Sequence, residues 1–190
     1  LAMMEADTLG RLRTGAASAV ATKYMARADA GAVGIIGTGW QAKTQLQAIA
    51  RVRPVALVKA YSRNPPRREA FAAEMVQELG AEVVAVDSAE EAVQDMDIIV
   101  TITTARDPVV LGAWLRPGVH VNAAGSNAAN RRELDSAAVA RAERIVVDSK
   151  EQALEEAGDL LAPIHEGRLS WDRVAELGAV VAGAAPGRHD

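Results

Sequence analysis

The sequence predicts a doubly wound α/β fold, a parallel sheet with helices flanking both faces. Short apolar runs suited to buried strands alternate with helical stretches along most of the chain. The first of these runs passes directly into a glycine turn that opens the next helix, and no fixed repeat points to a solenoid.

In chain order, Thr8 to Ala28 places Leu9, Leu12, Ala16, Ala19, Val20 and Lys23 at mostly three- and four-residue steps without a proline. That is the spacing of an amphipathic helix, and it ends near Asp29-Ala30-Gly31. Ala32 to Ile36 is a continuous apolar run, as expected of a strand covered on both faces, and Gly37-Thr38-Gly39 follows at once. Trp40 to Val52 has helical composition and stops before Pro54. The alternation then repeats, with Val55 to Tyr61 as strand, Pro66 to Leu79 as helix closed by Gly80, Glu82 to Val86 as strand and Ser88 to Gln94 as a short helix. Asp97 to Thr101, Val119 to Ala123 and Arg144 to Val147 complete the strands of the sheet, joined by right-handed crossovers. Two stretches read as loops or as parts facing a neighbouring domain: Ala105 to Gly118, with Pro108, Gly112 and Pro117, and the tail after Leu160, with Pro163, Gly167, Gly178, Gly183, Pro186 and Gly187.

A chain of 190 residues with 49% hydrophobic residues is long enough for one core. The 21 basic against 25 acidic side chains give a net charge of -4, which supplies no basic field for nucleic acid or an anionic membrane surface. The absence of cysteine excludes disulfides, thiolate nucleophiles and Cys-ligated metal sites, and no apolar run is long enough to span a bilayer. No His and carboxylate spacing suggests a metal. The expectation is a soluble, cytoplasmic protein with a small-molecule partner.

Gly37-Thr38-Gly39-Trp40-Gln41-Ala42 is a G-x-G-x-x-A turn in the context the motif requires, after a buried strand and before a helix. The first glycine permits the tight turn, the second lets a pyrophosphate approach the backbone, and Ala42 lets the helix pack close on the sheet. The phosphates would sit on the free amides of the helix N-terminus. This is the signature of a dinucleotide-binding Rossmann sheet, with Gly37, Thr38, Gly39, Trp40 and Gln41 around the pyrophosphate.

Where an acidic residue would select NAD at the end of the second strand, this chain has Tyr61-Ser62-Arg63-Asn64, with Arg67 and Arg68 nearby. A guanidinium and a hydroxyl can hold a 2′-phosphate, so NADP(H) is favoured and NAD(H) is the alternative, with Ser62, Arg63 and Asn64 at the adenosine ribose. Thr101, Thr103 and Thr104 end the fourth strand, where alternate hydroxyls would face the crevice. After the fifth strand, Asn122 to Asn127, including Ala124, Gly125 and Ser126, is small and polar enough to pack a nicotinamide ring.

Six segments together resemble the ornithine cyclodeaminase and mu-crystallin family: Leu12-Arg13-Thr14-Gly15-Ala16-Ala17-Ser18-Ala19, the glycine turn, Pro117 to Asn122, Arg132-Glu133-Leu134-Asp135, Val147-Asp148-Ser149 and Glu176-Leu177-Gly178. The resemblance implies an NAD(P)-dependent, mostly dimeric protein with a separate substrate and dimerisation domain. It further implies that Arg13 helps hold the substrate carboxylate or the cofactor, and that Glu156 lines the ligand pocket. A family member that uses NADPH carries a similar Asn-Arg-Thr at the ribose turn. On the same grounds residues 1–190 are expected to be one cofactor domain with its core at about 30–150. The stretches 1–29 and 160–190 would pack toward a substrate domain outside this chain, and the domain alone would be inactive.

One departure bears on the chemistry. Cyclodeaminases and related alanine dehydrogenases resemble one another in a Gly-x-Asp after the fifth strand, whereas this chain has Gly125-Ser126-Asn127. An amide is no carboxylate base, which counts against ornithine cyclodeamination, although Asn127 can still orient an amine or imine. The expected activity is therefore hydride transfer at the carbon–nitrogen bond of an imino or amino acid. The alternatives are a crystallin-type protein that binds NADP(H) without turnover and an NAD-retaining cyclodeaminase. His120 reads as a packed strand residue, His165 as a solvated loop residue and His189 as part of the tail, so the proton donor is not assigned.

Overall fold

The computed structural model describes residues 6–188. His189 and the first five residues of the N-terminal stretch lie outside them. Helix α1 (Asp7–Met25) precedes strand β1 (Ala32–Ile36), followed by α2 (Trp40–Ile49), β2 (Leu57–Tyr61), α3 (Pro65–Leu79), β3 (Glu82–Ala85), α4 (Ala89–Val93), β4 (Ile98–Thr101) and β5 (His120–Ala123). These five strands are all parallel and lie in the order β3-β2-β1-β4-β5. The expected doubly wound sheet is present, with β1 at its centre.

Strand β1 shows why both faces are covered. Val33 and Ile35 pack into a core with Ala42, Leu46 and Ile49 of α2 and Phe71 and Met75 of α3. Ile36 points into a second core with Ala92 and Val93 of α4 and with Ile99. Fully buried side chains such as Leu46, Ile49 and Met75 each contribute about 2–3 kcal/mol by leaving water. Gly34 lets α4 sit directly on the sheet, since a Cβ there would lie 1.9 Å from the Ala92 carbonyl oxygen. Helix α3 begins at the Asn64 cap, whose side chain accepts from the Arg67 amide, and ends at Gly80 with φ of 64°.

Three features differ from the sequence expectation. First, Arg144 to Val147 does not extend the main sheet: β6 (Ile145–Val147), which follows α5 (Ser136–Arg141), pairs in parallel with β7 (Val174–Glu176) in a separate two-stranded sheet. Second, the tail after Leu160 is structured: beyond α6 (Lys150–Glu156) it holds the end of α7 (Gly158–His165), β7 and α8 (Leu177–Val181). Gly158 makes α7 possible where it is, because a Cβ would meet the Arg131 carbonyl oxygen at 2.0 Å. His165 accordingly ends a helix, exposed, rather than lying in a loop. Third, α1 buries Gly15, Ser18, Ala19 and Thr22, while Leu9 and Leu12 remain 54% exposed. Its inner face is chosen by size rather than hydrophobicity. Within Ala105 to Gly118 the chain makes one 3-10 turn at Gly112–Trp114 and an isolated parallel bridge from Val110 to Leu134.

Candidate functional site: the crevice at the strand ends

The carboxyl ends of β1, β2 and β4 are aligned, with Ile36 opposite both Tyr61 and Thr101. The chain turns outward there into the segments singled out by sequence. Gly37 has φ of 104°, and a Cβ on it would lie 2.4 Å from the Ile102 carbonyl oxygen, so glycine is required by the chain's own packing. Gly39 is different. Its φ of -80° suits any residue, and an added Cβ would meet nothing within 4 Å. It precedes α2, whose N-terminus, like those of α1, α7 and α8, has no side-chain cap, whereas α3, α4, α5 and α6 are capped by Asn64, Ser88, Asp135 and Ser149. The start of α2 thus presents amides beneath a space that a side chain on Gly39 would fill. Gln41 is exposed and Trp40 half exposed, with the Arg11 guanidinium 5.1 Å above the Trp40 ring.

The turn after β2 is tied to the glycine turn. The buried Thr38 hydroxyl donates to Ser62 Oγ at 2.8 Å, and Ser62 donates to the Asn64 carbonyl at 3.4 Å. Asn64 Oδ1 is engaged as the α3 cap at 3.1 Å, so that side chain serves the helix before any ligand. The neighbouring arginines divide. Arg68 is buried, donating to the Ser62 carbonyl at 3.1 Å and to Asp87, with the Tyr61 ring 5.7 Å away. Arg63 is exposed and has no hydrogen bond or ion pair among the described residues.

Thr101 corrects an expectation. It has no exposed surface, and its hydroxyl is used by Glu133 Oε2 at 2.8 Å, so it does not face the crevice. Thr103 is half buried, its hydroxyl accepting from the Ala105 amide at 3.1 Å, and Thr104 is exposed. After β5 the Ala124 amide donates to the Thr101 carbonyl at 2.9 Å, and the Ser126 hydroxyl donates to the Arg131 carbonyl at 2.7 Å. Asn122 points away from this loop, buried, donating to Thr22 Oγ1 at 3.0 Å. His120 is buried beside it as expected, 3.1 Å from Asn122 Oδ1, and burial pushes its pKa down to about 4.

Sequence reasoning missed Glu133 as a site element. It is completely buried and receives the Thr103 amide at 2.6 Å and the Gly125 amide at 2.8 Å. Burial raises its pKa, opposed by those hydrogen bonds, and the same holds for Asp159, which accepts from the Glu133 and Leu134 amides at 2.7 and 2.8 Å. The Arg-Glu-Leu-Asp segment marked the place, but a glutamate in a polar loop carries no sign of burial.

The substrate-side residues are dispersed. Arg13 is exposed on α1, 4.0 Å from Asp148 beyond β6. Asn127 is exposed and accepts from Arg131 at 3.2 Å, and Glu156 is exposed at the end of α6. No hydrogen bond or ion pair joins these three among the described residues. Among the described residues there is also no group of three or more His, Cys, Asp or Glu side chains able to hold a metal, and no helix long and apolar enough to cross a membrane.

A parallel sheet in this strand order, with a glycine turn leading into an uncapped helix at its centre, defines a Rossmann-type α/β domain of the dinucleotide-binding class. The chain belongs to the ornithine cyclodeaminase/mu-crystallin family, whose sequence profile matches residues 1–190. It is 44% identical over 190 residues to a Delta(1)-pyrroline-2-carboxylate reductase of Bacillus cereus, covering all of this chain and 58% of that protein. Among solved structures, the Thermococcus litoralis Delta(1)-pyrroline-2-carboxylate reductase in complex with NADH and L-proline matches with a TM-score of 0.96 and 46% identity, over 100% of this chain and 59% of that one. An archaeal alanine dehydrogenase dimer with bound NAD matches with a TM-score of 0.90 and 36% identity, over 98% and 57%. The present chain therefore spans somewhat more than half the length of the relatives it matches.

Proposed function

We propose that this chain is the cofactor-binding domain of an NAD(P)H-dependent oxidoreductase that reduces the carbon–nitrogen double bond of a small imino acid, of the pyrroline-carboxylate type, or oxidises the corresponding amino acid. The observation that carries the reading is the pairing of Gly39, where only a ligand makes use of the missing side chain, with the uncapped start of α2. The likeness to a reductase solved with NADH and a dehydrogenase solved with NAD supports it.

On this reading the turn at Gly37, Thr38, Gly39, Trp40 and Gln41 takes the pyrophosphate. Ser62 and Arg63 take the adenosine ribose, with Asn64 supporting that turn through its cap. Thr103, Thr104, Ala124, Gly125 and Ser126 border the nicotinamide. The exposed Arg63, in place of a carboxylate, makes NADP(H) the preferred cofactor and NAD(H) the second. Bound, the nicotinamide supplies the hydride, and the chain contributes position and charge. Arg13 receives the substrate carboxylate, and Asn127 and Glu156 are the other substrate-side residues, each contributing from a different element. The N- and C-terminal stretches, 1–29 and 160–190, face the substrate-binding part of the whole protein. That protein is a homodimer in the reducing cytoplasm, in keeping with a chain that has no cysteine to oxidise.

The test is a calorimetric titration with NADPH and with NADH at fixed salt, repeated on Arg63→Ala. Tighter NADPH binding that is lost in the variant supports both assignments. A folded chain that binds neither cofactor overturns the reading, and equal affinity in the variant overturns the 2′-phosphate assignment alone. Redox-neutral ammonia release from ornithine by the whole protein would instead identify a cyclodeaminase.

A further inference from the structure

We propose that Glu133 is a positioning residue that fixes the distance between the Thr103 and Gly125 amides, and so sets the nicotinamide end of the crevice. The inference rests on the dinucleotide-binding reading above.

The two carboxylate oxygens divide their work. Oε1 accepts from the Thr103 amide beyond β4 at 2.6 Å, and Oε2 accepts from the Gly125 amide beyond β5 at 2.8 Å and from the Thr101 hydroxyl at 2.8 Å. Three donors from two neighbouring strand ends converge on one side chain, which only an acceptor with two equivalent oxygens can satisfy. The loops meet as closely as backbone allows, because a Cβ on Gly125 would lie 2.4 Å from both Thr103 N and Thr103 O and 2.6 Å from Glu133 Oε1. The clamp is itself held. Asp159 at the start of α7 accepts from the Glu133 and Leu134 amides, so the segment that carries the carboxylate is pinned from below. This arrangement binds nothing directly. It determines where Thr103, Thr104, Gly125 and Ser126 stand, while the pyrophosphate and ribose turns are hydrogen-bonded to each other through Thr38 and Ser62 and meet the clamped segment by packing, where Gly37 lies on Ile102 and Thr103.

The different hydrogen-bond anchors make the role testable. Glu133→Gln keeps the shape, but it sets an amide NH2 against one of the donors and lets the loops part. We expect NADH and NADPH to bind about tenfold more weakly, while ADP-ribose and its 2′-phosphate, which lack the nicotinamide, bind with unchanged affinity. In nitrogen–proton correlation spectra the Thr103 and Gly125 amide resonances should shift upfield in the variant. Equal weakening of whole and truncated ligands, or no weakening of either, would overturn the proposal. Should Glu133→Gln not fold, Thr101→Val removes one donor and leaves both amides, with an expected loss of about threefold confined to the whole cofactors. Equal or absent effects there would overturn it as well. If the unaltered protein binds neither ADP-ribose nor NADH, it is the dinucleotide reading that fails, and this proposal with it.

Discussion

Gly15 of α1 lies against the backbone of Thr44 in α2, so close that a Cβ built on it would stand 2.6 Å from the Thr44 carbonyl oxygen. The Thr44 hydroxyl proton is shared between the Gln41 carbonyl of its own helix at 2.8 Å and the Arg11 carbonyl of α1 at 3.2 Å. The first helix is thereby held to the helix that begins at the glycine turn. Gly15→Ala should drive the two apart and cost about 1–3 kcal/mol, read as a lower thermal midpoint. Gly10→Ala, on the same helix with nothing within 4 Å of its added Cβ, should instead gain about 0.5–1 kcal/mol. Equal effects at the two sites would show that the helix contact is looser than described.

The two glycines of the turn should separate by phenotype. Gly37→Ala combines a φ of 104° with a clash against Ile102, and should destabilise the fold by more than about 1 kcal/mol. Gly39→Ala has neither problem in this chain, so its thermal midpoint should stay within a degree or two while NADPH affinity falls by tenfold or more. A Gly39→Ala protein that binds NADPH normally would argue against a pyrophosphate at this turn.

At the opposite end of the sheet, Asp97 accepts from the Gly31 and Ala32 amides at 3.0 Å each and pairs with Arg27 at 2.6 Å and with Arg116. Burial alone would raise its pKa, but the two amides, Arg27 and Arg116 outweigh it, and the carboxyl lies below the usual value. A depressed carboxylate stabilises the fold above its unfolded pKa, and that contribution is lost as pH falls through the folded value. Asp97→Asn should therefore cost about 2–3 kcal/mol near pH 7, with the gap to the parent closing in acid. Urea unfolding at several pH values measures this, and a gap that does not narrow as pH falls would contradict it.

His120 gives a second window. Its pKa falls from 6.5 unfolded to about 4 folded, because a buried ring resists charging. The unfolded chain then binds more protons between those values, so stability is fully present above pH 6.5 and declines as pH drops toward 4. The loss from this group amounts to about 3 kcal/mol. In His120→Gln the slope of stability across that window should flatten, and an unchanged slope would assign the proton uptake elsewhere.

What the sequence reveals depends on whether a residue's surroundings constrain its type. Strands covered on both faces must be apolar at their centres, so Ala32 to Ile36 and the Ile98 to Val100 centre of the fourth strand are legible, as is a glycine turn whose first residue, Gly37, has a backbone geometry that favours glycine. Val174 to Glu176 is too short and too mixed to read as a strand, and nothing in Arg144 to Val147 reveals that its partner is β7 rather than the main sheet. The spaced set in α1 mixes the buried Ala19 with the exposed Leu9 and Leu12, because the close approach at Gly15 decides which face is covered. In the crevice the residue types were legible and their commitments were not. Thr101 and Asn64 look free in sequence, but both hold the scaffold.

The central position of β1 has a consequence for how the chain is made. Its strand on one side, β2, follows closely, but β4 on the other side lies about 60 residues downstream of β1, which a ribosome adds in roughly 3–12 seconds. A sheet of β1 and β2 formed within that interval would carry a bare apolar edge along Val33 to Ile36, the kind of edge that joins to other chains. Helix α4, translated just before β4, lands on Gly34, so the face of β1 is shielded moments before its edge is closed.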